Sequence, residues 1–138
     1  MGRIVALDYG TKRTGIAVTD PLQIIATPLD TVATHELIEY LSVYLKQESV
    51  DIVVIGKPSK KDGTDSKIEP LIVGLIRKIK QLFPYLQIER YDERFSSKRA
   101  EDIIRKTVKK KKDRQDKGLI DQVSACIILQ DYMGIHEE

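Results

Sequence analysis

Residues 3–20 read RIVALDYGTKRTGIAVTD, and the fold turns on how this stretch is read. A short apolar run, Ile4 to Leu7, ends in a carboxylate, Asp8, with Gly10 two residues on. Gly10-Thr11-Lys12-Arg13 then turns the chain, and a second apolar stretch runs from Thr14 to Val18. A connection this short, with a glycine in it, suits a β-hairpin rather than a crossover. The first strand therefore delivers an acid to the end of a sheet. Burying a lone carboxylate is costly, so Asp8 has either a turn to cap or a chemical task.

Working outward, Asp20-Pro21 marks a turn, and Ile24 to Val32 is apolar and β-branched with Pro28 inside it. Proline confines such a strand to an edge or a bulge, so a third, antiparallel edge strand is expected. From Thr34 the residues Leu37, Ile38, Leu41, Tyr44 and Leu45 recur at helical spacing. Val50 to Ile55 is a continuous apolar strand of the kind covered on both faces. Gly56 to Ser66 reads as a loop. A second helix follows to Phe83, with Ile68, Leu71, Ile72, Leu75, Ile76 and Ile79 as its buried face and Pro84 ending it. Leu86 to Tyr91 is a short strand. Ser96 or Ser97 caps a third helix carrying Ala100, Ile103, Ile104 and Val108, and a last helix spans roughly Leu119 to Tyr132. Three meandering strands followed by alternating strands and helices give an α/β fold: a mixed five-stranded sheet with helices on both faces. At 138 residues the whole chain, 1–138, is expected to be one domain.

In such sheets, sites form beyond the carboxyl ends of the parallel strands. Asp8 ends the first strand, Asp92 and Glu93 follow the last, and Asp121 lies early in the final helix. Converging carboxylates are hard oxygen ligands that suit Mg²⁺ or Mn²⁺. One or two such ions, the pair roughly 4 Å apart, activate water and stabilise the leaving oxygen in phosphodiester cleavage. The two histidines, His35 and His136, are scattered, which argues against zinc and against a Ser-His-Asp arrangement. No GxxxxGK[ST] loop is present. Net charge is only +2, but the basic groups are concentrated: Arg105, Lys106, Lys109, Lys110, Lys111, Lys112, Arg114 and Lys117 lead into the helix that carries Asp121. Such a run is either a solvated loop or an arm for a phosphate backbone. Lys57, Lys60 and Lys61 form a smaller basic group at the same end of the sheet.

Four motifs now make the chain resemble a known family. They are LDYGTKRTGIAVTD at 7–20, GKPSKKDGT at 56–64, YDERFSS at 91–97 and KGLIDQVSACIILQDY at 117–132. In this order, and over nearly the whole chain, they resemble the YqgF/RuvX family of bacterial ribonuclease H-like proteins. Members are described as Holliday junction resolvases and as nucleases processing the 5′ end of pre-16S ribosomal RNA. The resemblance implies a ribonuclease H-like fold, and Asp8, Glu93 and Asp121 as a catalytic and metal-binding triad for Mg²⁺ or Mn²⁺. It implies phosphate or metal-water contacts at Lys57, Asp62, Arg94 and Lys117. Lys12, Arg13, Lys57, Arg94, Lys109, Lys110, Lys111, Lys112, Arg114 and Lys117 together form the expected nucleic-acid-binding set. Two departures stand out: FSS replaces the commoner leucine followed by hydroxyl residues, and the stretch before Lys117 is unusually rich in lysine.

The expected function is thus metal-dependent hydrolysis of structured nucleic acid, with pre-rRNA as substrate. Resolution of branched DNA is the first alternative, and a resolvase with two active sites requires a dimer. A catalytically weak nucleic-acid-binding module is the second. The D-x-G-T and T-G-x-A pattern also resembles the phosphate loop of actin-like ATPases and sugar kinases, but those need two such domains around a cleft. As to oligomeric state, a monomer or weak homodimer is expected. A single cysteine, Cys126, in an apolar helical run points to a buried inert thiol and a reducing compartment. The N-terminus leads straight into a strand with no signal peptide, and no apolar run approaches the roughly 18 residues of a membrane span. A cytoplasmic protein without a membrane partner is expected.

Overall fold

The computed structural model describes residues 2–57, 65–92 and 117–134. Its strands are β1 (Arg3–Tyr9), β2 (Arg13–Thr19), β3 (Ala26–Ala33), β4 (Val50–Lys57) and β5 (Gln87–Asp92). Its helices are α1 (Leu37–Gln47), α2 (Asp65–Leu82) and α3 (Lys117–Met133). The sheet order is β3-β2-β1-β4-β5. β1 pairs antiparallel with β2, and β2 antiparallel with β3. β4 pairs parallel with β1 on one side and with β5 on the other. This is the mixed five-stranded sheet expected from the sequence, and the carboxyl ends of β1, β4 and β5 share one edge.

Side chains alternate between the two faces along each strand. Val5, Leu7, Ile16, Val18, Val53 and Ile55 pack in one core with Leu37 and Leu41 of α1 and Ile72 and Ile79 of α2. Ile4, Ala6, Ala17 and Val54 face the other way, onto Ala125, Cys126, Ile128 and Leu129 of α3. Small Ala6 and Ala17 let this helix lie close to β1 and β2.

β3 is an edge strand, as its proline demands. Its register with β2 passes from Ile16 opposite Asp30 to Ala17 opposite Pro28, so Leu29 is the extra residue of a bulge. The strand starts at Ala26 rather than Ile24. The reason is local: the Asp20 carboxylate accepts the N–H groups of Leu22, Ile24 and Ile25 and folds this segment into a turn. Those bonds favour the ionised form and lower the Asp20 pKa, the Ile25 N–H most of all. The α1 region begins with a 3-10 turn, Thr34–Glu36, before the α-helix proper. On α2, Leu71 is exposed, contrary to expectation. It lies about 100° around the helix from Ile72, off the stripe centred on Ile72 and Ile79.

The expected loop between β4 and α2 lies outside the described residues except at its ends, as do the third helix and the lysine run as far as residue 116. Lys117, counted with that run in the sequence, is the first residue of α3. Cys126 is buried, and its desolvation raises the thiol pKa. No helix among the described residues is long and apolar enough to cross a membrane.

Candidate active site at the carboxyl end of β1

The site can be built strand by strand. Because Ile4 and Ala6 face α3, alternation puts Asp8 on the same face, just past the apolar part of β1. Leu7 pairs with Ile55 of β4, and Ile55 with Arg90 of β5. Asp8 is therefore one step beyond the last apolar row of the parallel strands. Across the hairpin, Asp8 pairs with Gly15 of β2, and Gly15 with Thr31 of β3. Asp8, Gly15 and Thr31 form one row across three strands.

The N-terminal part of α3 lies over this row. The Thr31 hydroxyl donates to the Gly118 carbonyl at 2.5 Å, which fixes the first turn of the helix above β3. Less than one turn later, the backbone of Asp121 meets β2 at Gly15. A methyl group on Gly15 would overlap the carbonyl carbon and oxygen of Asp121, so only glycine allows the approach. Asp8 and Asp121 thus flank the same glycine, one as its cross-strand partner and the other as the helix residue resting on it.

The hairpin loop is held by Thr34. Its N–H donates to the Lys12 carbonyl at 2.9 Å, its hydroxyl donates to the Gly10 carbonyl at 2.6 Å, and the same oxygen lies 3.0 Å from the Thr14 hydroxyl. Lys12 is exposed in that loop. Arg13, next in the chain, points along the α3 face, and its Nε donates to Asp121 Oδ2 at 2.8 Å. Lys57 is exposed at the end of β4, with Asp92 of β5 opposite.

Of the expected triad, Asp8 and Asp121 both adjoin Gly15, one as its cross-strand partner and one through its backbone. Glu93 lies outside the described residues, as do Arg94, Lys109, Lys110, Lys111, Lys112 and Arg114. Among the described residues no three His, Cys, Asp or Glu side chains cluster as a metal site. The Asp8 and Asp121 carboxylates are hard oxygen donors and fit Mg²⁺ or Mn²⁺ by donor type. They would leave further coordination positions to Glu93 or water.

Three contributors were missed by reading the sequence. Gly15 sits in a β-branched strand, where an isolated glycine signals close approach of another backbone; that signal was available. Thr31 gave no signal, because its partner is 87 residues away. Arg90 is the third. It pairs with Glu69 of α2 at 2.6 Å and donates to the carbonyls of Ile55 and Gly56. It ties α2 to the end of β4 on the face opposite α3.

Comparison with known proteins adds a further finding. The family model described as "RuvX: Holliday junction resolvase" matches residues 2–134. A protein of Flavobacterium johnsoniae is 47% identical over 134 residues, covering 97% of each chain. One from Bacteroides fragilis is 48% identical over 133 residues, covering 96% of each. One from Christiangramia forsetii is 49% identical over 133 residues, covering 96% of this chain and 98% of its own. All three carry the name "Putative pre-16S rRNA nuclease".

Proposed function

This chain belongs to the RuvX family, and on that premise we propose that it is a divalent-metal-dependent nuclease that trims the 5′ end of pre-16S ribosomal RNA. The observation that carries the reading is that Asp8 and Asp121 both adjoin Gly15, at the carboxyl end of β1. Two carboxylates at one end of a parallel sheet are oxygen donors of the type that divalent cations take. Lys12, Arg13 and Lys57 surround them with positive charge of the kind that holds a phosphate backbone.

Asp8, Asp121 and Glu93 would hold one or two Mg²⁺ or Mn²⁺ ions. When bound, these supply Lewis-acid activation of water and offset charge developing at the scissile phosphate. The chain's own part is positional. β1 holds Asp8 rigidly at a strand end. Thr31 and Gly15 set the depth and angle at which α3 presents Asp121. Lys12 and Lys57, both exposed, engage phosphates on either side of the cut.

Substrate choice follows the names of the relatives, all of which point to rRNA. The description of the family model favours a second reading, cleavage of four-way DNA junctions. One experiment separates them. Wild type and Asp8→Ala are given a 5′-extended ribosomal RNA precursor and a four-way DNA junction, with Mg²⁺ and then Mn²⁺. The expected result is RNA cleavage by wild type, reduced more than about 100-fold in Asp8→Ala, since loss of even an outer-shell partner of a metal ligand costs 10- to 100-fold. Symmetric junction cuts with intact RNA would establish the second reading. Equal RNA cleavage by wild type and mutant would remove Asp8 from the mechanism.

A further inference from the structure

Arg13, grouped above with the phosphate-binding cations, is bonded in this structure to an acid of the site instead. It opens β2, two residues before Gly15, and so emerges on the face covered by α3. Its Nε donates to Asp121 Oδ2 at 2.8 Å, across 108 residues of sequence. The contact is one-sided: no described residue accepts a hydrogen bond from its two terminal nitrogens. The side chain is 42% exposed and that of Asp121 23% exposed, so water reaches both partners. Such a pair forms readily and costs little to break.

We propose that Arg13 is the resident cation of the acidic site: it holds Asp121 while no divalent ion is bound, yields the carboxylate to the ion, and then presents its guanidinium to a substrate phosphate. The inference rests on the reading of Asp8 and Asp121 as metal ligands. Its argument is electrostatic. A divalent ion on Asp121 must take a carboxylate that already carries a positive partner, and it then repels that partner at short range. The displaced group has the planar donor fork that matches a phosphate, and it remains beside the site because Thr34 pins the loop that carries it. Metal and phosphate are therefore coupled through one side chain, and the coupling is reciprocal.

The test is a Mn²⁺ titration of the full-length chain without nucleic acid, reading free Mn²⁺ by its electron paramagnetic resonance signal. Wild type, Arg13→Gln and Asp8→Asn are compared. Arg13→Gln keeps a donor nitrogen at the position of the Arg13 Nε but removes the charge and the terminal nitrogens, and the exposed position makes misfolding a minor concern. Mn²⁺ is expected to bind Arg13→Gln on the order of tenfold more tightly than wild type, and Asp8→Asn more weakly. In wild type, modification of Arg13 by phenylglyoxal, followed by mass spectrometry, should accelerate when Mn²⁺ is added. Equal or weaker Mn²⁺ binding by Arg13→Gln, with the Asp8→Asn loss intact, overturns the role of Arg13 and leaves the metal site standing. Mn²⁺ binding that Asp8→Asn leaves unchanged overturns both.

Discussion

At Gly15 the space for a side chain is already taken by the backbone of Asp121. Gly15→Ala should therefore push α3 away from β2, and the collision is with backbone, which cannot rotate aside. Overpacking of this kind costs about 1–3 kcal/mol, to be read as a lower urea midpoint. Cleavage should fall further than stability explains, because Asp121 moves with the helix. Asp8 was legible from sequence, as a carboxylate closing an apolar run two residues before a glycine. Arg13 was legible only as a basic residue in a turn. Its pairing with Asp121 depends on the helix crossing over β2, and no local pattern encodes a contact between residues 13 and 121.

Between elements, the clearest titratable link joins α1 to the edge strand β3. Burial raises the Tyr40 hydroxyl pKa to about 12, helped by the negative charge of Asp30 and by the hydrogen bond donated to it. The sign of the effect is fixed by linkage. The unfolded chain ionises Tyr40 near pH 10 and the folded chain near 12, so the contribution is complete below pH 10 and is lost as pH rises to 12. Urea midpoints of wild type should thus fall more steeply over that window than those of Tyr40→Phe, which has no proton to lose. Parallel curves would show that the hydroxyl contributes nothing to holding α1 on β3. The elements themselves were largely legible. Periodicity located α1, α2 and α3, and the continuous run of β4 marked a strand covered on both faces. The start of β3 was not, because Asp20 captures the N–H groups of Ile24 and Ile25, and an Asx-type turn competes with strand pairing in a way that apolar content does not reveal.

For the molecule as a whole, the sheet divides labour between its faces. α1 and α2 cover one face over the larger apolar core, and α3 covers the other with Asp121 at its leading end. Binding to RNA should be governed by charge, with affinity falling as salt rises. Replacing Lys109, Lys110, Lys111 and Lys112 by alanine should reduce the slope of log affinity against log salt by about 2–4 if these lysines lie on phosphates. An unchanged slope would mark the run as a solvated loop. The mixed five-stranded sheet followed from sequence because three strands that meander before strands alternate with helices admit few arrangements. What the order alone could not supply was the height at which α3 crosses, which a single glycine sets. That crossing has a consequence for synthesis. β1, β2 and β3 are encoded within the first 33 residues and can pair soon after they leave the ribosome, whereas α3 begins only at residue 117. Asp8 is therefore in place long before Asp121 exists as a polypeptide residue. On the proposed reading a partly translated chain carries half the site, and cleavage waits until synthesis has passed α3.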